Sequence, residues 1–171
     1  SRDYGHKIRS NSQAILTTSK TIIKDNPRFT VRKNNKIIKH LTTIIIDNTL
    51  KIPLGSKLLK DINKKRVIIF TSKKNNKSKY LKKIGCEVFF INKQINNQLN
   101  LKTIFKKIYD LKINDILVEA GGIFFSNLLK NNLVDEIHLF KAPKLTGSSG
   151  KPLLIGKKLE NIKYKEVLTK N

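Results

Sequence analysis

The sequence predicts an α/β fold, a mostly parallel sheet covered by helices, on three grounds. Apolar runs of strand length recur along the chain, stretches of helical spacing separate them, and no internal repeat or long linker divides the series. The runs AILTT (14–18), TTIIID (42–47), RVIIF (66–70), CEVFFI (86–91), DILVE (115–119) and DEIHLF (135–140) have the β-branched and aromatic content of strands. The helical stretches are SRDYGHKIRS at the start, SKTIIKDN (19–26), GSKLLKDI (55–62), SKYLKKIG (78–85), LKTIFKKIYDLK (101–112) and GIFFSNLLKNN (122–132). In the fifth of these, Ile104, Phe105, Ile108 and Leu111 follow an i, i+1, i+4, i+7 pattern and make one apolar helix face. Strand, helix, strand in repetition is the pattern of parallel pairing.

Length and composition bound the function classes. The 171 residues fit one domain with a real core, and 39% apolar content makes the chain globular although 36 Lys and Arg stand against 12 Asp and Glu. No apolar run is long enough to span a membrane and no secretory leader is present, so the cytoplasm is the expected location. Cys86, the single cysteine, sits in an apolar strand and reads as a buried, inert thiol, with no intrachain disulfide and no zinc. The net charge of +24 attracts anions, but its lysines are spread over every segment and only KKNNKSKYLKK (73–83) approaches a block. A solvated Lys/Asn surface, not a nucleic-acid face, is the expectation. The chain begins at Ser1 and contains no methionine, which suggests a piece of a longer product.

The run ILVEAGGIFFSNLL (116–129) carries the first candidate chemistry. A parallel strand ends over the sheet, and the helix after it points free backbone N–H groups and its positive dipole end into the same crevice, where anions bind. Gly121 and Gly122 let the backbone approach a pyrophosphate with no Cβ in the way, although tight-turn geometry alone also explains two glycines there. Glu119, at the end of an apolar strand, needs a partner if it is buried and none if it lies at the surface.

Other motifs fail on inspection. There is no G-x-G-x-x-G fingerprint, and GSSGKP (147–152) lacks both the first glycine and the Ser or Thr of a P-loop, so it reads as a turn. The H-x-E and P-C-x-x-C of zinc deaminases are absent, and His6, His40 and His138 show no ligand spacing.

A second informative stretch is IRSNSQAILTTSKTIIKDNPRFTVR (8–32). Asp25-Asn26-Pro27 is a turn signal, and Arg9 and Arg32 on either side can pin a phosphate with forked, charge-assisted bonds. Together with IIID, ILVEAGG and LVDEIHLFKAPKLTG, in this order over nearly the whole chain, it resembles the C-terminal reductase domain of the bifunctional riboflavin-biosynthesis deaminase/reductase. That domain is a member of the dihydrofolate-reductase-like superfamily.

The resemblance implies a three-layer α/β/α fold and NADPH-dependent reduction of 5-amino-6-(5-phosphoribosylamino)uracil to its ribitylamino product. Carried over position by position, it makes Arg9, Phe29, Arg32 and Glu119 substrate contacts. Thr21, Asp25, Asn48 and the segment Gly121, Gly122, Ile123, Phe124, Phe125, Ser126 and Asn127 become cofactor contacts, and Glu119 is also the candidate catalytic acid or orienting group. Asn26, Phe29 and Asn48 depart from the residues usual in the family. The resemblance further implies a homodimer and a deaminase domain upstream in the same chain, while composition and motifs lead to the expectation of no metal, nucleic acid or membrane partner. Residues 1–171 are expected to be one reductase domain truncated at both ends, without a first strand ahead of Ser1 and a closing strand after YKEVLT, and therefore poorly stable and inactive in isolation. Two other readings stay open: a related reductase of the same superfamily with another substrate, and a basic nucleic-acid-binding module.

Overall fold

The computed structural model describes residues 2–34, 36–141 and 165–168. Two compact units divide the chain, Arg2–Gly121 and a second that begins at Gly122. The first holds a five-stranded, all-parallel sheet of β1 (Ala14–Thr18), β4 (Thr42–Ile46), β5 (Val67–Thr71), β6 (Glu87–Phe90) and β7 (Ile116–Val118), in the order β6-β5-β4-β1-β7. Its helices are α1 (Arg2–Asn11), α2 (Ser19–Asp25), α3 (Lys57–Lys60), α4 (Asn76–Lys83) and α5 (Leu101–Asp110), with a 3-10 turn at Ile62–Lys64. The second unit holds α6 (Gly122–Lys130) and a parallel pair, β8 (His138–Lys141) with β9 (Lys165–Leu168).

Helices lie on both faces of the five-stranded sheet. Successive side chains of a strand point to opposite faces. Lys82 of α4 lies over the Phe90 ring and Lys107 of α5 over the Phe89 ring, each 5.1 Å from the centroid, so α4 and α5 cover opposite sides. Cover on both sides explains why β1 and β5 read as unbroken apolar runs: four of five β1 residues and all five of β5 are buried. One core layer joins Ile15, Ile45, Val67, Ile69 and Val88 of the sheet to Ile22, Leu58, Leu59 and Leu81 of α2, α3 and α4. Each such side chain contributes about 1.5 to 3 kcal/mol through its removal from water. Cys86 belongs to this layer, and burial pushes its thiol up to about 12, in keeping with the inert reading.

Local chemistry sets the helix ends. Asn75 opens α4 with a reciprocal cap, its side chain accepting from Ser78 N–H while the Ser78 hydroxyl accepts from Asn75 N–H, both at 3.0 Å. Asn26 ends α2 in the left-handed region at φ 42°, a conformation that Asn tolerates, and its Oδ1 accepts from Lys57 N–H at 2.9 Å at the start of α3. The Asp-Asn-Pro turn thus stops one helix and starts another.

Two differences from the sequence reading matter. Residues 30–40, to which the sequence pattern assigns no element, form an antiparallel hairpin of β2 (Thr30–Lys33) and β3 (Lys36–His40), with a bulge in register between Val31 and Arg32. The strand expected over 135–140 begins only at His138, so Asp135 and Glu136 precede it. The turn read at 147–152 and the stretch APKLTG (142–147) lie outside the described residues. Among the described residues no helix is long and apolar enough to cross a membrane, and no cluster of His, Cys, Asp and Glu could hold a metal.

Candidate active site

Because all five strands run parallel, their carboxyl ends share one edge, and the order of the sheet reverses direction at β1. From β1 the chain proceeds outward through β4, β5 and β6, then returns to place β7 on the other flank of β1. Ligands of open α/β sheets bind outside the carboxyl ends of the strands where such a reversal occurs. The residues at that point are Thr17 and Thr18 at the end of β1 and Glu119 just past β7.

The β1–β7 ladder continues one residue beyond β7. Glu119 N–H donates to the Leu16 carbonyl at 2.9 Å, and the Thr17 hydroxyl donates to the Glu119 carbonyl at 2.7 Å. The Glu119 backbone is therefore fixed, and its carboxylate meets Arg9 from the last turn of α1. Arg9 Nε donates to Oε1 at 2.5 Å and Nη2 to Oε2 at 2.7 Å, a two-pronged ion pair of part-buried side chains, 25% and 27% exposed. Arg9 Nη1 also donates to the Thr30 carbonyl of β2 at 3.4 Å. A guanidinium carries five N–H donors. Three are spent on described residues, which leaves two without a partner among them.

Arg32 stands on β2, exposed, its Nε donating to the Thr30 hydroxyl at 3.4 Å and its backbone N–H to His6 Nδ1 at 3.3 Å. The hairpin thus brings Arg32 and the Arg9–Glu119 pair to one neighbourhood, with Thr30 bonded to both arginines. Phe29, expected at the substrate, differs: it is 3% exposed and packs in the core with Ile22 and Val31, at φ 48°. Its apolar ring is more stable there than in water, so its side chain anchors the chain entering β2.

The expected cofactor residues fall in two places. Thr21 and Thr18 share a hydroxyl contact at 3.3 Å at the start of α2, and Asp25 is exposed at its end. Asn48 follows β4, its Nδ2 donating to the Asn97 carbonyl at 2.7 Å and its Oδ1 accepting from the Ser72 hydroxyl at 2.7 Å. The Asn48 side chain therefore ties together the loops after β4, β5 and β6. Gly121 is exposed, and a Cβ built on it would meet nothing within 4 Å among the described residues. Gly122, Ile123, Phe124, Phe125, Ser126 and Asn127 form the first turns of α6 in the second unit, with Ile123 exposed and Ser126 buried.

Asp47 was not singled out by sequence. It is 1% exposed, and its carboxylate accepts from the Ser19 hydroxyl at 2.9 Å, Lys51 N–H at 2.9 Å and Ile52 N–H at 2.7 Å. A buried carboxylate needs such donors, and here they knit the start of α2 to the loop after β4. The signal was an acid closing the apolar run IIID.

A doubly covered parallel sheet, with an arginine–carboxylate pair at its reversal point and an exposed glycine two residues further on, defines the class as an open α/β domain. The chain belongs to the RibD C-terminal domain family, whose sequence profile matches residues 1–170. It is 35% identical over 147 residues to the riboflavin biosynthesis protein RibD of Aquifex aeolicus, covering 86% of this chain and 39% of that protein. It is 31% identical over 158 residues to the 5-amino-6-(5-phosphoribosylamino)uracil reductase of Buchnera aphidicola subsp. Acyrthosiphon pisum, covering 86% of this chain and 73% of that protein. Among solved structures, RibD of Acinetobacter baumannii superposes with a TM-score of 0.73 at 24% identity, over 92% of this chain and 42% of that one. The riboflavin biosynthesis reductase Rib7 of Saccharomyces cerevisiae gives 0.60 at 19%, over 78% and 59%. These likenesses establish the dihydrofolate-reductase-like fold. The chain spans 39% and 44% of the lengths of two RibD proteins that it matches.

Proposed function

We propose that the protein reduces 5-amino-6-(5-phosphoribosylamino)uracil to 5-amino-6-(5-phosphoribitylamino)uracil with NADPH. The observation that carries this reading is the Arg9–Glu119 pair at the carboxyl ends of β1 and β7, in a chain of the RibD C-terminal domain family. The residues fit both ligands. Two free N–H groups of Arg9 and the exposed guanidinium of Arg32 suit a phosphorylated, hydroxyl-rich sugar. Gly121, exposed and with no described atom within 4 Å of a built Cβ, suits a close approach by a pyrophosphate.

The nicotinamide, when bound, supplies a hydride. The ribosylamine opens to an imine whose C1′ accepts that hydride while its nitrogen takes up a proton. The chain's part is chiefly to hold the reacting carbons at contact distance and to keep the sugar oriented. Glu119 offers both carboxylate oxygens to Arg9, so the geometry favours an orienting role for it over that of proton donor. Arg9, held from one side by Glu119 and from the other by Thr30, presents its remaining donors in a fixed direction. A deaminase domain in the same polypeptide, a homodimeric assembly and a cytoplasmic location belong to the same proposal.

The test is NADPH consumption by the purified full polypeptide. Turnover with the phosphoribosylaminouracil, little with dihydrofolate, and a preference for NADPH over NADH are expected. A relative from Archaeoglobus fulgidus, 26% identical, is named as a reductase of 2,5-diamino-6-ribosylamino-4(3H)-pyrimidinone 5′-phosphate, so that compound is the informative competitor. Turnover of the diamino compound alone would move the substrate one deamination earlier, and turnover of neither would overturn the proposal.

A further inference from the structure

Among the described residues, hydrogen bonds tie the hairpin β2–β3 to α1 and to Ser12 just beyond it. Arg9 Nη1 donates to the Thr30 carbonyl, and Arg32 N–H to His6 Nδ1. Lys39 Nζ donates to the carbonyls of Ser10 and Ser12, both at 3.2 Å. The third bond differs in kind. The last carbonyls of a helix have no partners within it and lie at the negative end of its dipole, so a cation there both satisfies and stabilises them.

Ser10 belongs to the last turn of α1, which carries Arg9, and Ser12 lies just beyond it. Ser12 is 5% exposed, its N–H donates to the Arg9 carbonyl at 3.2 Å and its hydroxyl to the Ile8 carbonyl at 3.1 Å. Ser12 closes the turn from within the chain, and Lys39 closes it from the hairpin. Register shows how the hairpin reaches: Val31 pairs with Lys39 and Arg32 with Ile37, which leaves Ile38 without a partner. Such a bulge twists a strand and re-aims its side chains. One short hairpin therefore carries Arg32, accepts a bond from Arg9 and clamps the turn from which Arg9 extends.

We propose that Lys39 is a positioning residue for the substrate: by holding the last turn of α1 against β3, it keeps the Arg9 guanidinium between Glu119 and Thr30 with two N–H groups available to the sugar phosphate. This rests on the substrate role of Arg9 given above. Lys39 acts through Arg9, not on the ligand. A displacement of about 1 Å in a positioning group can cost up to a hundredfold in rate, so a frayed helix end at Arg9 has a measurable effect although Lys39 itself is exposed.

The experiment uses the full polypeptide with Lys39→Met, Lys39→Arg, Arg9→Ala and the double variant. Lys39→Met should raise KM for the phosphoribosylaminouracil by about five- to tenfold, and the inhibition constant of ribose 5-phosphate in parallel. KM for NADPH and the melting temperature should stay near wild type, and Lys39→Arg should recover most of the loss. Lys39→Met in the Arg9→Ala background should add less than twofold, because residues acting through one contact are not additive. Unchanged KM in Lys39→Met beside a raised KM in Arg9→Ala would refute the positioning role. Parallel loss of affinity for both ligands with a lowered melting temperature would reduce Lys39 to a structural cap and refute it equally. An unchanged KM in Arg9→Ala would remove the reading beneath the proposal, and the proposal with it.

Discussion

Among the described residues, two arginine–glutamate pairs of nearly the same form stand at opposite edges of one sheet. Arg9 grips Glu119 through Nε at 2.5 Å and Nη2 at 2.7 Å, and Arg66 grips Glu87 through Nε at 2.5 Å and Nη2 at 2.9 Å. Glu119 follows the carboxyl end of β7, whereas Arg66 precedes β5 and Glu87 opens β6, at their amino ends. In a parallel sheet those edges are not equivalent. Helix starts and their free N–H groups gather at the carboxyl edge, and helix ends at the other. Identical side-chain chemistry therefore reads as a ligand site in one place and as a staple between neighbouring strands in the other. Position in the topology, not the pair, carries the functional inference.

The largest expected effect breaks that comparison at its functional end. Arg9→Ala should lower kcat/KM by on the order of a hundredfold, about 2.7 kcal/mol, the scale of one or two charged hydrogen bonds. Glu119→Gln keeps the size and one acceptor, and should cost at least about tenfold in turnover. Unaltered steady-state kinetics in Glu119→Gln would remove it from the mechanism. Gly121→Val tests the neighbouring turn. A Cβ there meets nothing within 4 Å among the described residues, so folding should be spared while NADPH binding weakens by about 1 to 3 kcal/mol. Equal losses of stability and binding would instead favour a plain turn. A smaller effect belongs to Arg32, which is exposed and makes one long side-chain bond at 3.4 Å. Arg32→Ala should raise KM for the phosphorylated substrate about threefold to tenfold and leave NADPH affinity alone, because a phosphate contact is remote from the hydride. A defect confined to the cofactor would show that its role was misassigned.

Much of this was legible in the sequence, for physical reasons that also explain the rest. Strands buried on both faces announce themselves as apolar runs, so VIIF and TIII were read within a residue or two of β5 and β4. The helix α5 was read from its apolar face, and Ile104 and Ile108 are indeed its buried residues. The hairpin was missed because both β3 faces are wet: the burial of KIIKH shows no alternation, and Ile37 and Ile38 are 43% and 59% exposed. The Asn-Asn between TVRK and KIIKH was the available turn signal. Glu119 stood out as an acid ending an apolar run, but its partner lies 110 residues away, and Arg9 read as a phosphate contact and not as that partner. The Asp47 network was invisible because two of its donors are backbone N–H groups, which every sequence supplies.

The smallest expected effect lies at the structural end. Arg66 and Glu87 are 37% and 38% exposed, so solvent screens their attraction, and the pair contributes only about 0.5 kcal/mol. The hydrogen bond from Arg66 holds the Glu87 carboxyl below its ordinary value of 4.5, against a weaker upward push from burial. A carboxyl whose folded value is depressed adds stability above the unfolded value, and that addition disappears as pH falls through the folded one. Urea unfolding of wild type and Glu87→Gln should therefore differ slightly at neutral pH and converge as the solution is acidified below about 4.5. Reductase activity of Glu87→Gln should remain within about twofold of wild type at neutral pH. A loss as large as that of Glu119→Gln would mean that the amino edge of the sheet also serves the reaction, and the contrast between the two pairs would fail.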